Sequence, residues 1–141
     1  MKTPFVYPRQ VLFYETDTAQ IVHFSNYFRY LEEAEHAFFR ALNLPILWQR
    51  DDGGFLGWPR IDAHLQFQAA ANFGDLLEVR LWVNRVRASV LEMKMEIWRD
   101  TTIVAKGHLK IACCLTIPGT PMRAIEIPAE VAEVLRAQQA I

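Results

Sequence analysis

Two carboxylates and a histidine lie close together near the start of the chain, in the segment Phe13 to Tyr27, which reads FYETDTAQIVHFSNY. A carboxylate such as Asp17 can attack a carbonyl carbon as a nucleophile or take a proton from water as a general base. The alternative role for Asp17 is that of a turn residue whose carboxylate bonds nearby backbone N–H groups. His23 could also act as a base, but an isolated histidine between Val22 and Phe24 is more often a packing or hydrogen-bonding residue.

Other common sites are absent from the sequence. It contains no Gly-x-Gly-x-x-Gly, no Walker loop and no Gly-x-Ser-x-Gly, which removes the simplest nucleotide-binding and serine-hydrolase interpretations. The four histidines are far apart, and Cys113 and Cys114 are adjacent, so neither zinc-site spacing nor an ordinary disulfide is predicted. We therefore expect no metal and no cofactor.

Composition narrows the class of protein. With 141 residues, 52% of them hydrophobic, the chain is expected to form one globular domain over residues 1–141. Fifteen basic residues balance sixteen acidic ones without a basic block, which argues against a nucleic-acid partner. No apolar run is long enough for a membrane span, and Met1 to Pro4 does not resemble the start of a signal peptide, so we expect a cytoplasmic protein without membrane insertion.

The longest periodic segment predicts a helix of about five turns from Ser25 to Leu42, with Ser25 as its N-cap. Its apolar residues recur at intervals of three and four: Tyr27, Tyr30, Leu31, Ala34, Phe38, Ala41 and Leu42. Further apolar residues lie off this stripe, so the helix must be covered on more than one side. A first strand is expected near Gln10 to Tyr14.

Most of the second half alternates with period two, which predicts strands with one solvent-facing side. The apolar positions of three strands are Leu77, Val79, Leu81 and Val83, then Leu91, Met93, Met95 and Ile97, then Leu109, Ile111 and Cys113. Another strand is expected near Ile61 to Phe67. Short polar breaks, including Gly74-Asp75, predict antiparallel hairpins between successive strands. A short terminal helix is expected to open at Pro128. The result is an α+β layout in which an antiparallel sheet of about five strands curls around a long helix, as in the hotdog fold.

The segment entering the helix resembles the signature of the 4-hydroxybenzoyl-CoA thioesterase family of hotdog enzymes. The resemblance runs from Asp17 to Asn26-Tyr27 and continues through residues 30–32, 73–75 and 122–128. Two positions depart from the family pattern. Gln20 stands where a glycine is usual in the turn, so this loop must either avoid positive φ or accept strain. Phe24 stands where many relatives have a catalytic histidine, which resembles the branch that works with aspartate alone.

The resemblance implies an acyl-CoA thioesterase with Asp17 as nucleophile or general base. The N–H of Phe24, at the first turn of the helix, would stabilise the negative charge on the thioester oxygen, and His23 would have a smaller role. The substrate-binding residues expected on the same basis are Tyr27, Glu32, His64, Arg85 and Arg87. The two arginines are assigned to the phosphates of coenzyme A, and the acyl group, aromatic or aliphatic, is left open.

Two other functions compete with thioester hydrolysis. One is a 3-hydroxyacyl thioester dehydratase, for which His36 beside Glu35 and Glu32 is the nearest acid-base group in the sequence. The other is a non-catalytic module that binds acyl thioesters. For all three, an open sheet edge predicts a homodimer, and the family resemblance implies a homotetramer built as a dimer of dimers.

Overall fold

The computed structural model describes residues 3–139. Its strands are β1 (Phe5–Gln10), β2 (Trp48–Gln49), β3 (Phe55–Gly57), β4 (Arg60–Phe67), β5 (Leu76–Val86), β6 (Val90–Arg99), β7 (Thr102–Ala112), β8 (Cys114–Thr116) and β9 (Arg123–Ala124). Its helices are a 3₁₀ turn at Phe13–Glu15, the long α1 (Phe24–Ala41) and the short α2 (Ala129–Ala137). None of these helices is both long enough and apolar enough to span a membrane.

The predicted central helix is confirmed, but its N-cap is not Ser25. His23 has extended backbone angles and its ring accepts the Ser25 N–H, so the helix begins at Phe24. The cap is therefore two residues earlier than the expected one, because an imidazole replaces the hydroxyl of the usual capping side chain. Helix α1 buries its apolar stripe, including Tyr30, Leu31 and Phe39, against the sheet.

The main sheet has five antiparallel strands in the order β1-β5-β6-β7-β4, and its alternating apolar residues face α1 as predicted. The prediction that β4 and β5 form a hairpin at Gly74-Asp75 is wrong. Strand β5 pairs with β1 and β6, and β4 pairs with β7. Gly107 permits this pairing: a Cβ there would lie 1.8 Å from the His64 carbonyl oxygen, so β7 accepts β4 only with glycine at that point.

The first strand is also displaced from its predicted place. It covers Phe5–Gln10, and the segment expected to be its second half forms the 3₁₀ turn instead. The turn forms because the Glu15 carboxylate accepts the Leu12 N–H at 2.8 Å, which bends the chain back on itself. Pro8 belongs to the strand, and β1 tolerates it because it is an edge strand with one unpaired side.

A second, small sheet of order β2-β3-β8-β9 was not predicted. Its strands have two or three residues each, too few to show a period. The terminal helix is confirmed, except that Pro128 is its N-cap residue and Ala129 its first helical residue. Helix α2 packs on β5, and its buried residues Val131, Ala132 and Leu135 belong to the same hydrophobic core as the apolar residues of α1.

Candidate active site

Asp17 lies in a tight turn that ends at the start of α1. The Asp17 N–H donates to the Ile21 carbonyl at 2.9 Å, the Gln20 N–H donates to the Asp17 carbonyl at 2.9 Å, and the Ala19 N–H donates to Asp17 Oδ1 at 2.8 Å. Gln20 has φ of 66°, so the turn keeps the left-handed conformation that a glycine would adopt freely. A side chain in that conformation costs about 1 kcal/mol. The carboxylate itself is half-buried, with Oδ2 outside the turn's hydrogen bonds.

The first turn of α1 contributes Phe24, which lines a cavity together with Asp17. The His23 ring accepts the Ser25 N–H at 3.3 Å and lies 2.8 Å from Ser25 Oγ, while the Asn26 N–H donates to the His23 carbonyl. For the N–H of Phe24 no acceptor is found within residues 3–139. A free N–H at a helix N-terminus is suited to a developing negative charge. His23, in contrast, is occupied with capping the helix.

Glu15 is the second carboxylate of this segment, to which sequence reasoning assigned no role. Its side chain is buried and accepts hydrogen bonds from the Leu12 N–H, from Tyr30 Oη at 2.8 Å and from both terminal nitrogens of Arg9, at 2.6 and 3.0 Å. Burial alone would raise the pKa of Glu15, but these donors outweigh it and hold the pKa below its usual value. The backbone carbonyl of Glu15 also accepts the His23 N–H and the Asn26 side-chain amide, so Glu15 ties the Asp17 turn to α1.

An apolar cavity of about 470 Å³ opens on one side of Asp17. Its walls come from the turn, from α1 and from the end of β4: Ile21, Val22, Phe24, Tyr27, Phe67, Gln68, Ala69 and Ala70. The Phe67 ring lies 5.5 Å from the Tyr27 ring and 6.5 Å from the Phe24 ring, centroid to centroid. Burial raises the pKa of Tyr27, which keeps the phenol neutral. This pocket is suited to an apolar or aromatic group.

A polar cleft of about 520 Å³ lies on the other side of Asp17. It is lined by Arg9, Glu15, His23, Asn26 and Arg29, among other residues. Asp17 is common to the cleft and to the apolar cavity. A carboxylate in this position can face an apolar acyl group on one side and water on the other, which is the arrangement that hydrolysis of an ester or thioester requires.

The other predicted binding residues lie outside these two cavities. Glu32 is exposed on α1, 3.3 Å from Arg60, and lines a separate cavity of about 220 Å³. His64 is on the outer face of the sheet, where its ring stacks on that of His108 at 5.6 Å. Among residues 3–139, no group of three His, Cys, Asp or Glu side chains is arranged to hold a metal ion.

Arg85 and Arg87 are at the far end of β5, before the turn to β6. Arg87 Nε donates to Glu92 at 3.1 Å, whereas Arg85 is exposed and makes no ion pair within residues 3–139. Strand β5 begins at Leu76, shortly after Ala71, whose carbonyl accepts the Val22 N–H beside the Asp17 turn. Val86 lies ten residues further along the strand. At about 3.3 Å per residue this is about 33 Å, so the arginines of one chain are remote from its own Asp17.

Glu35 is a second buried carboxylate, in the middle of α1. Its side chain is fully buried, one oxygen contacts Arg60 at 2.7 Å and His36 at 3.6 Å, and the other has no hydrogen-bond partner within residues 3–139. Burial raises the pKa of Glu35 to about 7, against the lowering effect of Arg60. Neither Glu35 nor His36 lines the cavities beside Asp17.

Nearly the whole chain is similar to known thioesterases. Residues 11–135 match the model of the thioesterase-like superfamily. The acyl-CoA thioesterase YbgC of Haemophilus influenzae is 25% identical over 130 residues, which cover 90% of each chain. The 4-hydroxybenzoyl-CoA thioesterase of Pseudomonas sp. strain CBS-3 is 26% identical over 132 residues, which cover 89% of this chain and 92% of that protein.

Solved structures agree on the fold. The structure of the Pseudomonas 4-hydroxybenzoyl-CoA thioesterase superposes with a TM-score of 0.82 at 23% identity, covering 94% of this chain and 99% of that one. A hypothetical protein of Aquifex aeolicus superposes with a TM-score of 0.80 at 34% identity, covering 94% and 99%. The predicted hotdog fold is therefore confirmed, and the chain belongs to the thioesterase-like superfamily of thioester hydrolases.

Proposed function

We propose that this protein hydrolyses an acyl-CoA thioester to a free acid and coenzyme A, with Asp17 as the catalytic carboxylate. The observation that carries the proposal is that Asp17 lines both an apolar cavity and a polar cleft, and that Phe24, whose N–H has no acceptor within residues 3–139, lines the same apolar cavity. The acyl group lies in the apolar cavity against Tyr27 and Phe67. The Phe24 N–H donates to the thioester oxygen as it becomes negative.

Two routes are open to Asp17. As a nucleophile, Oδ2 attacks the thioester carbon, the thiolate of coenzyme A leaves, and water from the polar cleft hydrolyses the resulting mixed anhydride. As a general base, Asp17 takes a proton from water while the water oxygen attacks the thioester carbon, and the proton then passes to the departing thiolate. Label found in the Asp17 carboxylate after a single turnover in ¹⁸O-labelled water would establish the nucleophilic route, because the general-base route never bonds the water oxygen to Asp17.

The proposed active form is a homodimer joined along β4. Of the eight residues of β4 only Leu65 is buried, and β4 is an edge of the main sheet. The other edge, β1, contains Pro8, which lacks an N–H and discourages pairing. Exposed apolar side chains on and beside the β4 edge, Phe24, Ile61 and Phe67, would be covered by the second copy. The family resemblance extends this assembly to a dimer of dimers in the cytoplasm.

The dimer also accounts for the distance between Asp17 and the arginines. Strand β4 runs from Arg60, paired with Ile111 near the β5–β6 turn, to Phe67 at the apolar cavity. Antiparallel pairing of two β4 strands brings the β5–β6 turn of one copy towards the Asp17 cavity of the other. Coenzyme A would then reach from Asp17 of one subunit to the phosphate-binding Arg85 and Arg87 of its partner.

Thiol release from a panel of acyl-CoA substrates tests this function. Short aliphatic, long aliphatic and aromatic acyl-CoAs should be included, with the matching acyl carrier protein thioesters, because the apolar and aromatic lining of the cavity suits both classes of acyl group equally. Release of free thiol from at least one of the CoA thioesters supports hydrolysis. Binding of these ligands without thiol release would indicate a binding module, and hydration of an enoyl-CoA would indicate a dehydratase using His36 and Glu35.

A further inference from the structure

The segment of residues 68–75, between β4 and β5, contacts the Asp17 turn at several points. The Asn72 side-chain amide donates to the Gln20 carbonyl at 3.1 Å, and the Val22 N–H donates to the Ala71 carbonyl at 2.9 Å. The start of the same segment forms a wall of the apolar cavity. One stretch of chain therefore forms part of the cavity and holds the turn that carries the carboxylate.

Gln20 is the residue of this turn whose conformation needs support. Asn43 and Asp100 are the other non-glycine residues with positive φ among residues 3–139, and asparagine and aspartate adopt that conformation more readily than glutamine. A Gln20 that relaxed to negative φ would redirect its carbonyl and N–H. Because the Gln20 N–H bonds the Asp17 carbonyl, such a change would move Asp17.

Asn72 is itself held in place by charged groups. Its backbone N–H donates to Asp75 Oδ2 at 2.8 Å, and the same oxygen accepts from Arg99 at 3.2 Å. Arg99 also donates to the Ala70 carbonyl, so both ends of residues 70–75 are fixed to the end of β6. Because the backbone of Asn72 is fixed by Asp75, its side-chain amide can hold the Gln20 carbonyl in one orientation.

We propose that Asn72 is a positioning residue for catalysis, which keeps Gln20 in the left-handed conformation and thereby holds the Asp17 carboxylate at the reacting carbon. This inference rests on the proposed role of Asp17 and extends it to a residue outside the signature segment. Asn72 lines neither of the two cavities beside Asp17, so it is not placed to contact the substrate. Its effect passes through one hydrogen bond to the only residue of the turn that glycine would suit better.

The test is a double-mutant cycle in thiol release with the best acyl-CoA of the panel. Asn72→Ala should lower kcat about tenfold, the factor equivalent to 1.4 kcal/mol, and leave KM within about twofold. Gln20→Gly alone should stay within about threefold of wild type, because glycine needs no help at positive φ. In the Gln20→Gly background, Asn72→Ala should cost less than about threefold, since the strained residue is gone.

Two controls match these changes. Gln10→Ala removes an amide that donates to the Gly74 carbonyl of the same segment without reaching the turn, and Asn43→Gly relieves a left-handed residue at the end of α1. Both should leave kcat unchanged. Asn72→Leu keeps the branched shape and the number of heavy atoms but has no donor, so it should behave as Asn72→Ala even if the alanine variant folds poorly.

Equal losses from Asn72→Ala in both backgrounds, or a lowered Tm with unchanged kcat, would overturn the inference. The proposed function fails separately, if Asp17→Asn is as active as wild type. In that case there is no catalytic aspartate to position, and the role of Asn72 falls with it. An inactive Asp17→Asn together with additive effects of Asn72 and Gln20 would leave the function standing and remove Asn72 from it.

Discussion

Replacement of Glu15 by glutamine should destabilise the protein strongly although the shape of the side chain hardly changes. The Glu15 carboxylate is 3% exposed and accepts from Arg9, Leu12 and Tyr30. An amide in its place presents an N–H₂ to donors that need an acceptor, and it leaves Arg9 without its buried counter-charge. Loss of one partner of a buried pair costs about 3–5 kcal/mol, and Arg9 keeps Glu33, so we expect about 2–4 kcal/mol.

Urea unfolding at pH 7 measures this loss, with Glu33→Gln as the matched control. Glu33 binds the same Arg9, but its side chain is about a third exposed, so its change should cost less than about 1 kcal/mol. Because the pKa of Glu15 is lowered in the folded protein, its contribution is present above the unfolded pKa of about 4.5 and disappears as the pH falls through the folded value. The gap between wild type and Glu15→Gln should therefore close at low pH. Equal losses from the two variants at pH 7 would refute the reasoning.

Two further predictions concern charged groups away from Asp17. Because the pKa of Glu35 is about 7, the folded protein keeps a proton on this carboxyl at pH values above about 4.5, where the unfolded chain has released it. The free energy of unfolding should therefore fall by about 2–3 kcal/mol between pH 4.5 and 8. In urea titrations Glu35→Gln should flatten this pH dependence, and an unchanged slope would contradict the prediction. Replacing Arg85 and Arg87 by alanine should raise KM for acyl-CoA severalfold at low salt and leave kcat nearly intact, because a phosphate contact stabilises the ground state and the transition state equally. An unchanged KM would mean that the phosphates of coenzyme A bind elsewhere.

The parts of the fold that could be predicted from sequence are those with a long, regular pattern. Helix α1 has an apolar stripe from Tyr27 to Leu42, and the apolar alternation runs from Leu77 to Val83 in β5 and from Leu91 to Ile97 in β6, with buried side chains following most of each pattern. The strand order could not be predicted, because it depends on a contact remote in sequence, the close approach of Gly107 to β4. The small sheet has strands too short to carry a period, and the first strand was misplaced because Glu15 bends the chain by a side-chain bond.

The candidate site was predictable in its signature segment and not beyond it. The family resemblance assigns roles to Asp17 and the Phe24 N–H from one continuous stretch that ends at the first residue of α1, and these roles stay predictions. Glu15 was assigned no role because its importance comes from Arg9 and Tyr30, which meet it only in the folded chain. Asn72 gave no signal either, since its partner Gln20 is 52 residues away in sequence. The functional roles of Tyr27, Glu32, His64, Arg85 and Arg87 stay predictions.

The kcat of Asp17→Asn tests the central claim most directly. Asparagine keeps the Oδ1 acceptor that bonds the Ala19 N–H, so the turn should persist while the carboxylate is lost. We expect kcat to fall by at least about a hundredfold, with acyl-CoA binding retained and His23→Ala doing less harm. Asp51→Asn, an exposed loop aspartate, serves as the control and should be fully active. A kcat for Asp17→Asn within a few fold of wild type would contradict the account.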